Sequence, residues 1–416
     1  MPQPLADRLV AAIPSLARPL VFLEGGANRA GVARLAWGAT DRCRLSWGAD
    51  PLDAMSWLEK RDGRRAYGVL AYDAGLPPKA VRRRPLVDQP VAEFFVPEHE
   101  VVVDLAAGVA IAGDIDALPS AGRRGQPIVR GASLVDRSFA QPEFENAVRR
   151  VRDYVAAGDV YQVNLAVAQR FRIAVAAWDA YVRLRAANPS PWMGFADFGD
   201  WQIASSSPEL LIEVGATVAG GGRSGGRLVR TRPIAGTRKK TGDPRRDRAM
   251  RRELRLDEKE RAEHRMLVDL ARNDIGRVAR YGSVAVRELE VVEEYSHVFH
   301  LVSEVTGALR EDCSTADALL ALFPGGTITG APKIRAMEVI AELEPVARGA
   351  YTGSLGWIDA EAMQFNILIR SAVIRDGTAV VQAGAGIVWD SDPAREWRES
   401  LRKAAAVCEA LGAGGV

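Results

Sequence analysis

The chain has 416 residues, 48% hydrophobic and 26% charged, the composition of an ordinary globular protein long enough to bury a substantial core in one large domain or two to three average ones. A formal net charge of +2 excludes the broad basic footprint of a nucleic-acid binder, and no run approaches the ~20 apolar residues of a membrane-spanning helix. Cys43, Cys313 and Cys408 are odd in number, far apart and outside any metal spacing, which suits packing roles in a reduced compartment.

The first residues, MPQPLADRLVAAIPSLARPL, lack the basic start and long apolar core of an export signal, so a cytoplasmic protein is expected. Residues 1–115 read as short strands punctuated by Gly and Pro: LVFLEGG (20–26), RLAWG (34–38), CRLSWG (43–48), YGVLAYDAG (67–75) and EVVVDLAAGVAIAG (100–113). The gaps between them are mostly too short for crossover helices, which favours antiparallel pairing. Arginines 82–84 read as solvated surface before they read as an anion site, and PSAGRRGQP (119–127) reads as a surface connection. We therefore expect a β-rich N-terminal region over 1–130, part of the same compact fold as a second region, 138–416, that carries the chemistry.

From Ser138 the texture changes. Pro142 stands near a helix start, Phe144, Val148, Val151 and Val155 share a face, and Gly158 stops the helix. The strand VYQVNLAVAQRF (160–171) follows, with Gln162 and Asn164 on one side. Buried polar residues need partners, so these two either pair within the sheet or look into a pocket. A strand with a turn at Ser207 and Pro208 comes next, then the Gly-rich AGGGRSGGR (219–227), a hairpin loop with no GK[ST] to make it a phosphate cradle. The strand TRPIAGTR, a helix over 245–280, long strands through 284–309, a helix around 314–322, a helix over 332–343, two strand pairs and a last helix complete the chain. The expected class is α+β, with large antiparallel sheets in a β-sandwich-like core and helices packed outside.

Within the helix over 245–280, KERAEHRMLVDLARND keeps Leu267, Leu270 and Ala271 at i, i+3 and i+4, which gives one buried face. Glu260 and Glu263 then lie a turn apart on one face. They repel by a few tenths of a kcal/mol in water, a cost that a cation between them would relieve. A second pair, Glu396 and Glu399, has the same spacing on the last helix. Oxygen-only donors select a hard ion, Mg²⁺ first. Taken alone, such pairs are more often solvated helix faces.

Their company changes that reading. SSSPE (205–209), PIAGT (233–237), HVFHLVS (297–303), FPGGTITGAPKIRAME (323–338) and QAGAGIV (382–388), in this order with these glutamates, resemble the chorismate-utilising enzymes from about residue 140 to 411. These are anthranilate synthase component I, aminodeoxychorismate synthase component I, and the isochorismate and salicylate synthases. The resemblance implies that Glu260, Glu263, Glu396 and Glu399 hold Mg²⁺ against the ring carboxylate, with Glu263 and Glu399 as direct ligands, and that Glu209 is the general acid at the departing 4-hydroxyl. Donors to the substrate carboxylates would be Arg370, on the otherwise apolar strand NILIRSAV (366–373), Tyr351, Lys403 and backbone N–H groups around Gly384 and Gly386, with Gly236 and Thr237 at the ring. His300 matches the residue linked to proton removal in the pyruvate-eliminating members. A core histidine would look the same, because aminodeoxychorismate synthases carry it without completing elimination. Lys333 sits at a helix start and is expected to organise the site.

Gln162 stands where the water-using members resemble one another in having a lysine. An amide is no base at neutral pH, so the resemblance implies ammonia as nucleophile, supplied by a glutamine amidotransferase partner. YQVNLA, GGTITGAPKIRAME and IVWDSDP look like aminodeoxychorismate synthase. Ala235, in PIAGT, replaces the lysine that attacks C2 covalently in many such enzymes, and PIAGT with YSHVFH is shared with anthranilate synthase. A homologue that binds tryptophan or an amidotransferase without turnover is the reading from another class, and the full glutamate set argues against it. In this family the N-terminal sheet can hold a bound tryptophan. The matching stretches are 22–26 and 188–193 (NPSPWM), but Gly25 replaces the serine of the inhibitor motif, which argues against feedback.

Overall fold

Strand propensity along the β-branched and aromatic runs is realised almost entirely as antiparallel pairing in the computed structural model, which describes residues 5–25, 31–61, 63–76, 83–113, 115–119, 131–216 and 226–414. Among the described residues one sheet has eleven strands. It runs from Gly330–Ala331 through Gln162–Arg172, Thr378–Ile387, Ser371–Arg375, Gln202–Ser207, Trp192–Asp197, Leu20–Gly25, Val32–Trp37 and His99–Asp104 to Val109–Gly113, with Ser133–Arg137 also paired to Gln162–Arg172. The other, of ten, runs from Ile234–Lys239 through Val298–Ala308, Arg227–Arg232, Leu210–Ala216, Met363–Ile367, Ser354–Ile358, Ala66–Leu70 and Ala92–Val96 to Asp41–Leu45, with Ala285–Glu294 on Val298–Ala308.

Both sheets draw strands from the first hundred residues and the last hundred. Leu20–Gly25 pairs with Trp192–Asp197, and Ala66–Leu70 pairs with Ser354–Ile358. Apolar side chains from the two sheets meet between them: Val21, Ala196, Ile203, Val373 and Val380 from one, Tyr67, Val69, Phe95, Leu355 and Trp357 from the other, all buried in one cluster. The helices Gln141–Ala156, Lys333–Leu343 and Pro393–Ala410 pack outside, the last lying along Thr378–Ile387. The fold is thus the expected α+β class with two large antiparallel sheets.

Several local expectations are corrected. The N-terminal stretch also contains helices, Leu5–Ala12 and Leu52–Glu59, and a strand, Ala92–Val96, that the alternation did not mark. Ala177–Ala187 is a helix within a stretch read without one. The helix over 245–280 is two, Pro244–Leu256 and Glu258–Gly276. Asp257 breaks it, its carboxylate accepting from the N–H groups of Lys259 and Glu260 to cap the second helix. Arg370 sits in the bend between Met363–Ile367 and Ser371–Arg375 at φ +52°, not on a strand. Arg83 donates to the Ala341 and Glu342 carbonyls at the end of Lys333–Leu343. Arg82, Gly26, most of 119–127 and of the Gly-rich run 219–227 lie outside the described residues.

Candidate active site

The turn between Gln202–Ser207 and Leu210–Ala216 presents Glu209. Its backbone is pinned: the Glu209 carbonyl accepts from Ile367 N–H at 3.0 Å, and the Ser207 hydroxyl donates to the Ile367 carbonyl at 2.5 Å. The carboxyl, only 4% exposed, accepts from Ile234 N–H at 3.4 Å. Burial raises it to about 7, against the Thr327 hydroxyl, the Ile234 N–H and the Arg370 charge, which all favour the anion. A carboxyl so placed carries a proton near neutral pH and can give it up.

Arg370 approaches from the following bend. Burial pulls its guanidinium below its ordinary range while Tyr295 and Glu209 hold it up. Among the described residues no carboxylate closes an ion pair with it. A cation held from water without such a partner suits an anionic ligand.

His300 lies opposite Thr237 in the register of Val298–Ala308 against Ile234–Lys239. Between them the strand bulges at Gly236, whose φ of +66° favours glycine. His300 Nδ1 is 3.0 Å from the Gly236 carbonyl and 3.1 Å from the Thr237 hydroxyl. A carbonyl only accepts, so Nδ1 carries the hydrogen and Nε2 the lone pair. That Nε2 is buried without a partner among the described residues. Burial and then the Arg370 charge lower the imidazole to about 4, so it stays neutral, with Tyr295 edge-on at 5.0 Å.

The glutamate pairs form a second wall. Gln162, buried on its strand, donates from Nε2 to Glu263 at 2.8 Å. Burial raises Glu263, as does the Glu260 charge, while Gln162 and Lys403 oppose them. Gly386 makes this contact possible, since a Cβ there would stand 2.1 Å from Gln162 Nε2 and 3.5 Å from Glu263 Oε1. Glu260 turns toward Arg238 at 3.2 Å, beside Gly236, where an added Cβ would lie 3.2 Å from its carboxylate. On the last helix Lys403 donates to the Gly384 carbonyl and pairs with Glu399, both at 3.0 Å. Burial pushes Glu399 up, but Lys403, with Arg402 and Arg395, holds it below the usual carboxylate range. Burial and the Glu399 charge raise Glu396.

Among the described residues no three acidic, His or Cys side chains lie close enough as placed to ligate one ion. The donor set nonetheless fits a hard cation. It is all oxygen, and one positive charge, that of Lys403, favours the ionised forms of Glu263, Glu396 and Glu399 together. Tyr351 is buried, with its ring 5.7 Å from the Arg348 guanidinium. Arg348 pairs with Glu344 at 2.7 Å and donates to the Asn164 carbonyl, two residues from Gln162.

Sequence reasoning did not single out Thr327, Tyr295, Arg348 or Asp274. Thr327 lay inside the quoted GGTITG motif and Tyr295 inside YSHVFH, so their signal was present. Asp274 meets Lys333 at 2.6 Å across 59 positions of chain, and only the fold brings them together.

A family model described as chorismate binding enzyme matches residues 23–409. The chain is 49% identical over 274 residues to aminodeoxychorismate synthase component 1 of Bacillus subtilis (strain 168), a match covering 66% of this chain and 56% of that protein. It is 49% identical over 287 residues to anthranilate synthase component 1 of Streptomyces coelicolor, covering 68% and 54%. The chain thus spans about half the length of the curated relatives it matches. The crystal structure of anthranilate synthase component I from Streptococcus pneumoniae TIGR4 aligns with a TM-score of 0.77 at 32% identity, covering 91% of this chain and 92% of that one. The menaquinone-specific isochorismate synthase of Escherichia coli aligns with a TM-score of 0.79 at 22% identity, covering 99% and 93%, a likeness of fold.

Proposed function

The chain belongs to the chorismate binding enzyme family, and on that premise we propose that it aminates chorismate to 4-amino-4-deoxychorismate, as an aminodeoxychorismate synthase component 1 feeding 4-aminobenzoate and folate synthesis in the cytoplasm. The observation that carries the choice of nucleophile is the Gln162–Glu263 contact at 2.8 Å. An amide already donating to a carboxylate cannot take a proton from water, so the nucleophile arrives as ammonia. A glutamine amidotransferase subunit would supply it, in keeping with the component 1 names of the relatives.

In this reading Arg370 clamps one substrate carboxylate and Glu209 gives its proton to the 4-hydroxyl, which departs as water. Glu263 and Glu399 would hold Mg²⁺, supported by Glu260 and Glu396. The ion would neutralise the ring carboxylate and draw electron density from the ring. Lys403, Gly384 and Gly386 line the anion's place, and Gly236 and Thr237 abut the ring. Neutral His300 shapes the pocket and keeps its Nε2 lone pair toward the substrate. Tyr351 would donate to the other substrate carboxylate, beside the Arg348 network that steadies the Gln162 strand.

Anthranilate synthase is the second reading, favoured by Ala235. Its methyl, 9% exposed, offers no nucleophile, which closes a covalent route through residue 235. Incubation of the purified chain with chorismate, Mg²⁺ and ammonium, followed by mass and fluorescence analysis, separates the readings. 4-Aminobenzoate appearing only after a lyase is added supports the first. Direct appearance of fluorescent anthranilate supports the second. No product in either form removes both.

A bound tryptophan is supported by a cavity of about 470 Å³ between the 20–25 and 188–193 stretches, lined by Glu24, Gly25, Arg185, Ser190, Met193 and Tyr295. The Glu24 carboxylate is already taken by Tyr181 and Arg185, each at 2.7 Å. Millimolar tryptophan should raise the melting temperature without inhibiting turnover. An unchanged melting curve would remove it.

A further inference from the structure

If Glu209 gives a proton to the leaving hydroxyl, it must recover one before the next substrate reacts. A cavity of about 30 Å³ lies against it, lined also by Thr327, Thr231, Ala271 and Asp274. One water needs roughly 10–15 Å³ of such space and two or more polar partners, and this cavity offers both. Asp274, which also lines it, is buried on the helix Glu258–Gly276. Asp274 is paired with Lys333 at 2.6 Å, and Lys333 also donates to the Leu322 carbonyl at 3.1 Å. The two side chains keep 8% and 12% of their surface open to solvent.

We propose that this cavity carries water and that Asp274 positions it as the route by which Glu209 is reprotonated, with the Asp274–Lys333 pair as the point of proton entry. The inference rests on Glu209 being the general acid. Per turnover, one proton passes from Glu209 to the 4-hydroxyl, which leaves as water. One proton taken from solvent at the pair moves through Asp274 and the cavity water to the Glu209 carboxylate. The incoming ammonia nitrogen sheds one proton to solvent on the substrate side, so the cycle consumes none. Only O–H and N–H bonds change along the route.

The charges facing these groups are few. Arg370 faces Glu209, and Lys333 and Arg277 face Asp274. Burial raises Asp274 and lowers Lys333, which brings their proton affinities toward each other and eases exchange across the pair. A structural strut between the two helices would show the same contact. It would not explain why a cavity lined by Thr231, Thr327 and both carboxyl residues adjoins the acid.

Two variants of the full chain test the route, assayed with chorismate, Mg²⁺ and ammonium. Asp274→Asn removes the carboxylate, and Ala271→Leu fills the cavity while leaving the Asp274–Lys333 pair in place. Both should lower kcat about tenfold or more with KM for chorismate little changed, and both should enlarge the solvent deuterium isotope effect. A small weak acid in the buffer, such as formic acid, should restore part of kcat in Asp274→Asn. Wild-type kcat and isotope effect in a folded Ala271→Leu would overturn the proposal, whether or not Asp274→Asn folds. So would a loss of kcat in both variants that tracks a lowered melting temperature with the isotope effect unchanged. Wild-type turnover by Glu209→Gln would instead overturn the general-acid reading beneath it, whereas an inactive Glu209→Gln beside a fully active Ala271→Leu would sink the relay alone.

Discussion

Glu209 and Glu399 are the same residue type placed in two regions of one site, and the structure gives them opposite proton affinities. Glu209, in a turn between two sheets, is buried with Arg370 near but not hydrogen-bonded to it, and burial raises it to about 7. Glu399, on the face of the last helix, meets the Lys403 ammonium at 3.0 Å and is held below its ordinary range. Direct contact with an ammonium outweighs partial burial, and burial outweighs a guanidinium held only nearby. One wall is built to hold a proton, the other to keep its negative charge.

The comparison can be broken at its strongest point first. Glu209→Gln should lower kcat by about two orders of magnitude or more, as for loss of a general acid; wild-type turnover would strip that wall of its role. Arg370→Ala should raise KM for chorismate roughly 10- to 100-fold, from the ~1.5–3 kcal/mol of a hydrogen bond to a charged group, measured by initial rates. On the opposite wall Glu399→Gln should weaken the Mg²⁺ dependence of turnover about tenfold or more, and chelation should abolish turnover in the parent chain. Equal Mg²⁺ requirements in parent and variant would refute the ligand assignment.

pH sharpens the contrast. Only the acid form of Glu209 donates, so at constant free ammonia kcat should fall as pH rises through about 7, and Glu209→Gln should lack that limb. The same raised pKa contributes stability that is complete below the ordinary carboxyl range and is lost as pH rises through about 7. Melting temperature should therefore decline less between pH 5 and 8 in Glu209→Gln than in the parent. The smallest effect is expected from Gly386→Ala, whose methyl would displace Gln162 from Glu263, at about 1–3 kcal/mol of overpacking, read by thermal melting.

The helix Glu258–Gly276 was legible because Leu267, Leu270 and Ala271 keep its period, and the strand Gln162–Arg172 because polar and apolar residues alternate. The break at Asp257 was not, because an aspartate can continue a helix as readily as cap one until Arg238 and the next N–H groups claim it. The bend at Arg370 escaped too, since nothing in NILIRSAV announces a positive φ. Glu260 and Glu263 were correctly read as neighbours on one helix. Their partners, Arg238 and Gln162, come from other strands, and helical spacing cannot name them. The contact between Asp274 and Lys333 is wholly tertiary and left no trace in either local pattern.

Both sheets are closed by the last quarter of the chain. Ser354–Ile358 and Met363–Ile367 join Ala66–Leu70 to Leu210–Ala216, while Thr378–Ile387 fills the place between Gln162–Arg172 and Ser371–Arg375. During synthesis, earlier strands therefore leave the ribosome with bare edges that attract other chains. A stop codon before residue 354 would forfeit both layers at once, and the interval between making residue 172 and residue 387 is when a nascent chain most needs a chaperone's cover.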